Sequence, residues 1–257
     1  MKYSRPALLI AIFAFLFAPM ATLALFSFYE DSYLTFPPKS WTLKWYAWAF
    51  TRPEFVTSLR QSFVLGLTAT AIAALIGIPA TFALVRGRFR ARSAIEALVL
   101  SPLMLPTVIL GVALLIFWSA LRVKPSFWTL LVGHVIVITP FVVLNVRVSL
   151  LGVPANVEEA ALGLGAPPLR VFLRVVLPLI MPGVIAGAIL AFLISFDELA
   201  MTIFLTSPTL VTLPVQIFTY VEWHLDPGIA ALATLLMLFT TALLFVMDRA
   251  RGSEHLY

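Results

Sequence analysis

Cysteine is missing from the chain altogether. Disulfides, thiolate metal sites and thiol nucleophiles are therefore excluded, although nothing follows about compartment. Histidine is nearly missing. His134, His224 and His255 are scattered along 257 residues without an H-E-x-x-H pair, the helical spacing that a zinc hydrolase needs. No G-x-x-x-x-G-K-[ST] stretch occurs, so the chain has no phosphate-cradling loop with which to hydrolyse ATP. Charge is sparse as well, at 11% Asp, Glu, Lys and Arg, against about 25% in soluble domains. No internal repeat and no low-complexity linker divides the sequence, which reads as one domain, 1–257.

What is present is apolar. The chain is 61% hydrophobic with a mean hydropathy of +1.04, more than a soluble core of this size can hide. It reads as an all-α integral membrane protein with lipid as its solvent. Six apolar runs approach the roughly 20 residues of a helical crossing: 8–28, 63–85, 94–118, 127–151, 178–206 and 228–247. They are continuous rather than alternating with period two, which favours helices over a barrel. The first run extends from Ala7 to Phe28 with no convincing A-x-A after it, so it reads as a retained anchor rather than a signal peptide.

Basic residues orient the spans. With the N-terminus in the cytoplasm, Lys2, Arg5, Arg86, Arg88, Arg90, Arg92, Arg147, Arg170, Arg174, Arg249 and Arg251 fall on the inner side, eleven of the seventeen Lys and Arg. Lys39, Lys44, Arg52, Arg60, Arg122 and Lys124 fall outside. Both termini are thus expected in the cytoplasm. The R-G-R-F-R-A-R cluster at 86–92 reads as a topogenic signal rather than a lipid or nucleic-acid patch, and no nucleic-acid partner is expected. In the longest outer segment, 29–60, Trp41, Trp45 and Trp48 recur at about helical spacing. An interfacial helix with an aromatic belt accounts for them, with Trp45 the candidate for lining a solute route.

The most informative loop is inner, 152–177, and contains N-V-E-E-A-A-L-G-L-G-A-P-P from Asn156. Asn156 suits an N-cap, with Glu158 and Glu159 in the first turn where the helix dipole favours negative charge. Ala160 and Ala161 propagate a helix without bulk. Gly163 and Gly165 stop it, and Pro167 and Pro168 suit the start of a second helix leading into span five. The spacing, E-A-A at 159–161, Gly165 four positions on, then Val175-x-Leu177-Pro178, resembles the "EAA" loop of bacterial ABC importer permeases, with Val in place of Ile the one departure. T-L-K-W-Y at 42–46, the stretch 101–115 and L-P-V-Q-I-F at 213–218 are also similar to permease sequence.

The resemblance implies a type I ABC importer permease, with the MetI-like fold, in the bacterial inner membrane. It implies a coupling helix built from Glu158, Glu159, Ala160, Ala161, Gly165, Leu177 and Pro178, docked on a dimer of ATP-binding subunits. It also implies a second permease subunit, identical or homologous, and a periplasmic solute-binding protein. The chain itself would be no enzyme and hold no cofactor, ATP being bound by the partner.

One segment then needs an explanation. Asp197 and Glu198 lie inside span five. On an insertion scale two central acids cost roughly 5–7 kcal/mol, and the fourteen Leu, Ile, Phe and Val of 179–206 offset about 6. Intramembrane acids are functional candidates by default. The alternative is a polar tie between helices, to His134 or Asn145. Gly183, Gly187, Ala191 and Ser195 make a small-residue line suited to close helix packing. In a continuous helix Asp197 points about 100° away from Glu198, so that one faces a neighbour and the other the route. Ser195-Phe196-Asp197-Glu198 resembles the Ser-x-acid-acid stretch of putrescine and spermidine permeases. This implies contact of Ser195, Asp197 and Glu198 with a cationic amine, with Trp45 near the outer mouth. Thr107, after Pro106, stands where those permeases often have an acid. Tyr220, Glu222, His224 and Asp226 are candidates for docking a binding protein or are plain solvated surface, and Tyr220 is also a candidate for the solute route. Other solutes of the same permease class, iron(III), thiamine or an aminophosphonate, are the alternative. An ion-coupled secondary carrier is a third reading, and it leaves the Glu159 loop without a purpose.

Overall fold

The computed structural model describes residues 4–31, 40–224 and 226–252; Lys2, Lys39 and His255, named above, lie outside them. Long apolar stretches close their hydrogen bonds internally as helices, the form lipid demands. In chain order these are α1 (Ser4–Phe26), α2 (Lys44–Thr51), α3 (Pro53–Arg86), α4 (Arg92–Leu100), α5 (Thr107–Ala120), α6 (Phe127–Gly152), α7 (Ala155–Gly163), α8 (Pro168–Leu179), α9 (Met181–Asp197), α10 (Leu213–Val221) and α11 (Pro227–Gly252). Among the described residues there is no strand beyond two isolated bridges. By length and apolarity α1, α3, α6 and α11 each suffice to cross a membrane among the described residues, and the number rises to six where each of two bent pairs counts as one crossing.

The bent pairs correct two expected spans. The third, expected as one helix over 94–118, is broken. A 3-10 turn, Ser101–Met104, follows α4, and the direction changes by 106° before α5. Leu105 is extended, at φ −102 and ψ 133, because the ring of a following proline disfavours the helical region. The fifth, expected over 178–206, begins earlier and ends earlier. α8 contains a π turn at Phe172–Val176 and meets α9 at a 72° bend around Ile180. α9 ends at Asp197, and Glu198 is extended at ψ 112. The acids therefore sit at a helix end rather than inside a continuous helix, and the expected 100° relation between them does not apply.

The chain divides into two units, residues 1–59 with 216–241 and residues 60–215 with 242–257. In the first, α2 is held by its aromatic residues. Trp45 Nε1 donates to the Tyr29 carbonyl at 2.7 Å, and the Trp48 ring lies against Phe55 and Tyr220. α1 contributes no buried residue along its apolar window.

In the second unit α6 is the centre, with 56% of its apolar window buried. Ser126 and Thr129 cap its start reciprocally. Leu130, Ile138, Val142, Val146 and Leu150 form a continuous core with Leu65, Ala69, Ala73, Ala191 and Met201. The small-residue line of α9 faces it as expected: Gly183, Gly187, Ala191 and Ser195 are all buried. A Cβ on Gly183 would lie 2.2 Å from Ser149 Oγ and 2.9 Å from the Asn145 carbonyl, and one on Gly187 3.1 Å from Asn145 Cβ. Lipid tails give helices no hydrophobic reason to associate, so this close approach is what holds α9 to α6. Gly183→Val is expected to lower the stability of the detergent-purified protein by about 1–3 kcal/mol through overpacking, read as a fall in thermal unfolding midpoint.

Candidate functional site

The EAA loop forms as a short helix and turn, with one correction. α7 starts at Ala155 after Pro154 and has no side-chain cap, so Asn156 is not its N-cap; the proline's fixed φ suits the entry and leaves Asn156 inside the first turn. The stop is at the expected glycines. Gly165 adopts φ +87, its N–H donates to Leu162 O at 2.9 Å, and the Ala166 N–H reaches Ala161 O at 3.3 Å. This closing turn satisfies the terminal carbonyls of α7, and glycine enters the left-handed region at little cost.

The two glutamates of this helix take different positions. Glu158 turns inward, its Oε1 accepting from Arg86 Nε at 2.8 Å. The same guanidinium donates to Val153 O at 2.7 Å and Leu150 O at 3.3 Å. Glu159 and Ala160 are exposed, and Ala161 is half-buried against the core. Leu164 caps the knob at 90% exposure, beside exposed Leu162 and Leu169. Leu177 is half-buried and Pro178 exposed, both in α8. Arg86 and Leu164 were not among the expected site residues. Arg86 is hidden in a cluster that topology alone explains, and the only signal for Leu164 is an apolar residue between the two loop glycines.

The acidic break is organised by hydrogen bonds across the gap in helix five. Glu198 Oε1 accepts the Met201 N–H at 2.7 Å, satisfying a donor at the start of the 3-10 turn Thr202–Phe204 that follows α9. Asp197 is exposed. Among the described residues the ion pairs are Arg52–Glu54, Arg86–Glu158 and Arg147–Glu96, and none includes either acid. His134 of α6, 1% exposed, bridges the break. Its Nδ1 lies 2.8 Å from Ser195 Oγ and its Nε2 3.0 Å from Thr202 Oγ1. A neutral imidazole offers one donor and one acceptor, and a hydroxyl can play either part. The polar tie to His134 thus exists, and it runs through Ser195 and Thr202 rather than through the acids. Asn145 instead donates to the Phe141 carbonyl. Thr107 is the first residue of α5 and is half-buried.

In the other unit, Trp45 and Tyr220 belong to the aromatic group around α2. The Tyr220 hydroxyl donates to Asp226 Oδ2 at 2.7 Å; burial and this carboxylate push its pKa above the ordinary 10.0. Asp226 Oδ1 accepts the Gly228 N–H at 2.9 Å, which makes it the cap of α11. The His224 ring stacks on Tyr220, 4.4 Å between centroids, and Glu222 is exposed.

Residues 70–251 match the family model of the binding-protein-dependent transport system inner membrane component. The chain belongs to this family. The putrescine transport system permease protein PotI of Escherichia coli K12 is 34% identical over 240 residues, covering 91% of this permease and 85% of PotI. The spermidine/putrescine transport system permease protein PotC of the same strain is 30% identical over 254 residues, 97% of this chain and 96% of that one. In three dimensions the permease is similar to a chain of a bacterial ABC transporter involved in import of the acidic polysaccharide alginate. The TM-score is 0.67 at 17% identity, over 99% of this chain and 94% of the other, a likeness of fold. His134→Ala in this permease leaves Ser195 and Thr202 without their buried partner. It is expected to lower stability by about 1–3 kcal/mol, visible in a thermal unfolding scan, where Ser195→Ala alone costs less.

Proposed function

We propose that this chain is the membrane subunit of an ATP-driven importer that carries a polyamine into the cytoplasm, with both termini inside. The observation that supports the coupling role best is the presentation of α7. An ion pair and two carbonyl bonds anchor it on one side, while Glu159, Ala160 and Leu164 face outward. An exposed leucine next to a free-facing carboxylate fits a groove that is apolar at its floor and basic at its edge. Such a groove on a dimer of ATP-binding subunits would supply the hydrolysis that this chain lacks. A second permease chain would complete the route, and a periplasmic binding protein would deliver the solute.

The polyamine reading draws on the names of the two relatives and on the acidic break. Asp197 is exposed at a helix end and has no ion-pair partner among the described residues. A multiply charged amine passing within about 4 Å gains about 4 kcal/mol from such a carboxylate at an effective dielectric of 20. Ser195 and Glu198, already engaged by His134 and the Met201 N–H, act by holding the rim in place. Trp45, Thr107 and Tyr220 stay candidates on their chemistry alone, as aromatic and hydroxyl groups that suit a cation.

Two variants test the parts separately. Glu159→Lys should leave the protein in the membrane but reduce copurification with the ATP-binding subunit and abolish uptake; normal transport would count against the coupling role. Asp197→Asn should keep copurification while raising the KM for putrescine about tenfold, the equivalent of about 1.4 kcal/mol. Unchanged putrescine kinetics would remove Asp197 from the route.

A further inference from the structure

α3 is longer than a crossing requires. Its 34 residues rise about 51 Å at about 1.5 Å each, against a hydrocarbon core of about 30 Å. Pro79 lies within it, yet the helix continues to Arg86, with Thr81 Oγ1 bonded back to the Gly77 carbonyl at 2.7 Å.

Polar side chains near both ends of this helix grip backbone from distant parts of the sequence. At one end Arg86 holds Glu158 of α7 together with the carbonyls of Leu150 and Val153 just before α7. At the other, Gln61 grips a loop by two points. Its Nε2 donates to Thr209 O at 3.0 Å, and its Oε1 accepts the Val211 N–H at 2.8 Å. Ser62 Oγ accepts the Leu213 N–H at 2.8 Å beside it. These bonds join residues about 150 apart in sequence and are not products of local helix geometry. Gripping both a carbonyl and an N–H fixes the segment's rotation as well as its distance.

The two gripped segments are the ones an importer has to link. One is the knob that faces the motor. The other, 207–213, is the chain leaving the acidic break at Asp197 and Glu198. Roughly 38 Å of helix separates Gln61 from Arg86, and it is packed along its length. A Cβ on Gly66 would lie 3.0 Å from the Phe192 ring, and one on Gly77 3.1 Å from Val142. Close-packed helices transmit displacement rather than absorbing it.

We infer that α3 is the transmission element of this subunit, with Arg86 and Gln61 as positioning residues at its two ends. Movement of α7 is carried by Arg86 into α3 and delivered by Gln61 to segment 207–213, which follows the acidic break in sequence. The inference rests on α7 receiving the motion of an ATP-hydrolysing subunit, and one experiment separates the two.

The full complex is reconstituted in proteoliposomes, with the second permease, the ATP-binding subunits and the binding protein. Putrescine moved per ATP hydrolysed is measured for the native complex, Arg86→Ala, Gln61→Ala and the double variant. Stimulation of ATP hydrolysis by the binding protein is the second readout, because coupling between two sites is reciprocal. Each single variant is expected to lower both quantities about fivefold or more, the lower end for coupled sites, while the ATP-binding subunit still copurifies. The double variant should be no worse than the weaker single one, since two clamps in series fail together, whereas independent damage multiplies. Gln61→Glu, which keeps the acceptor for Val211 but loses the donor to Thr209, should fall between. Native coupling in both single variants, or losses that multiply in the double, overturn the inference. So does loss of copurification in Arg86→Ala that Arg86→Lys does not restore. Transport by the native complex that ignores ATP would overturn the reading of α7, and this inference with it.

Discussion

Every backbone polar group that a helix in lipid releases must find a partner inside the protein, because the bilayer core supplies none. Most of this chain meets that demand by remaining helical. Its functional features lie where it does not. Span three breaks at Pro106, span five bends at Ile180 and stops at Asp197, and the loop before α7 turns the chain back. At each of the last two places a side chain substitutes for the missing helix bond. Glu198 takes the Met201 N–H, and Arg86 takes the carbonyls of Leu150 and Val153. The polar residues that look expensive in an apolar sequence are, in the folded chain, what makes irregular backbone tolerable there.

The acidic pair illustrates how one apparent cost divides into two functions. Glu198 is used by the fold, since its carboxylate completes the turn that follows α9. Asp197 is left exposed with no ion-pair partner among the described residues, and the proposed cation contact is assigned to it for that reason. His134 keeps the two sides of the break together through Ser195 and Thr202, and α6 carries that histidine in the best-packed part of its unit. The break is thus braced from the most buried of the long helices.

Arg86 and Glu158 show a parallel economy at the opposite end of α3. Arg86, which the sequence offers only as one of a basic cluster, clamps the start of α7 in the folded chain. Its planar guanidinium reaches a carboxylate and two carbonyls at once, which a lysine ammonium on a flexible stem does less well. Glu158 and Glu159, adjacent in sequence and about 100° apart around the helix, then differ in exposure, one held by this clamp and one exposed. The outward face joins Glu159 to Leu164, so the knob combines charge with a bare apolar tip.

The helical membrane class, the turn at Gly165 and the packing line Gly183–Gly187–Ala191–Ser195 were all legible in the sequence. Each depends on local composition or spacing: apolar runs of bilayer length, a residue without a Cβ, small residues every fourth position. Where span five ends, which partner His134 takes, which glutamate of 158 and 159 turns inward and what Gln61 holds were not legible. The last three are contacts between residues about 60 to 150 positions apart, and in a chain that is mostly apolar many pairings satisfy the same pattern. Sequence determined which segments enter the membrane, because transfer from water to lipid is a property of each segment alone. Only the tertiary structure decided what braces the helix ends, because Arg86, His134 and Gln61 take up backbone and hydroxyl groups that lie about 60 or more positions away in the chain.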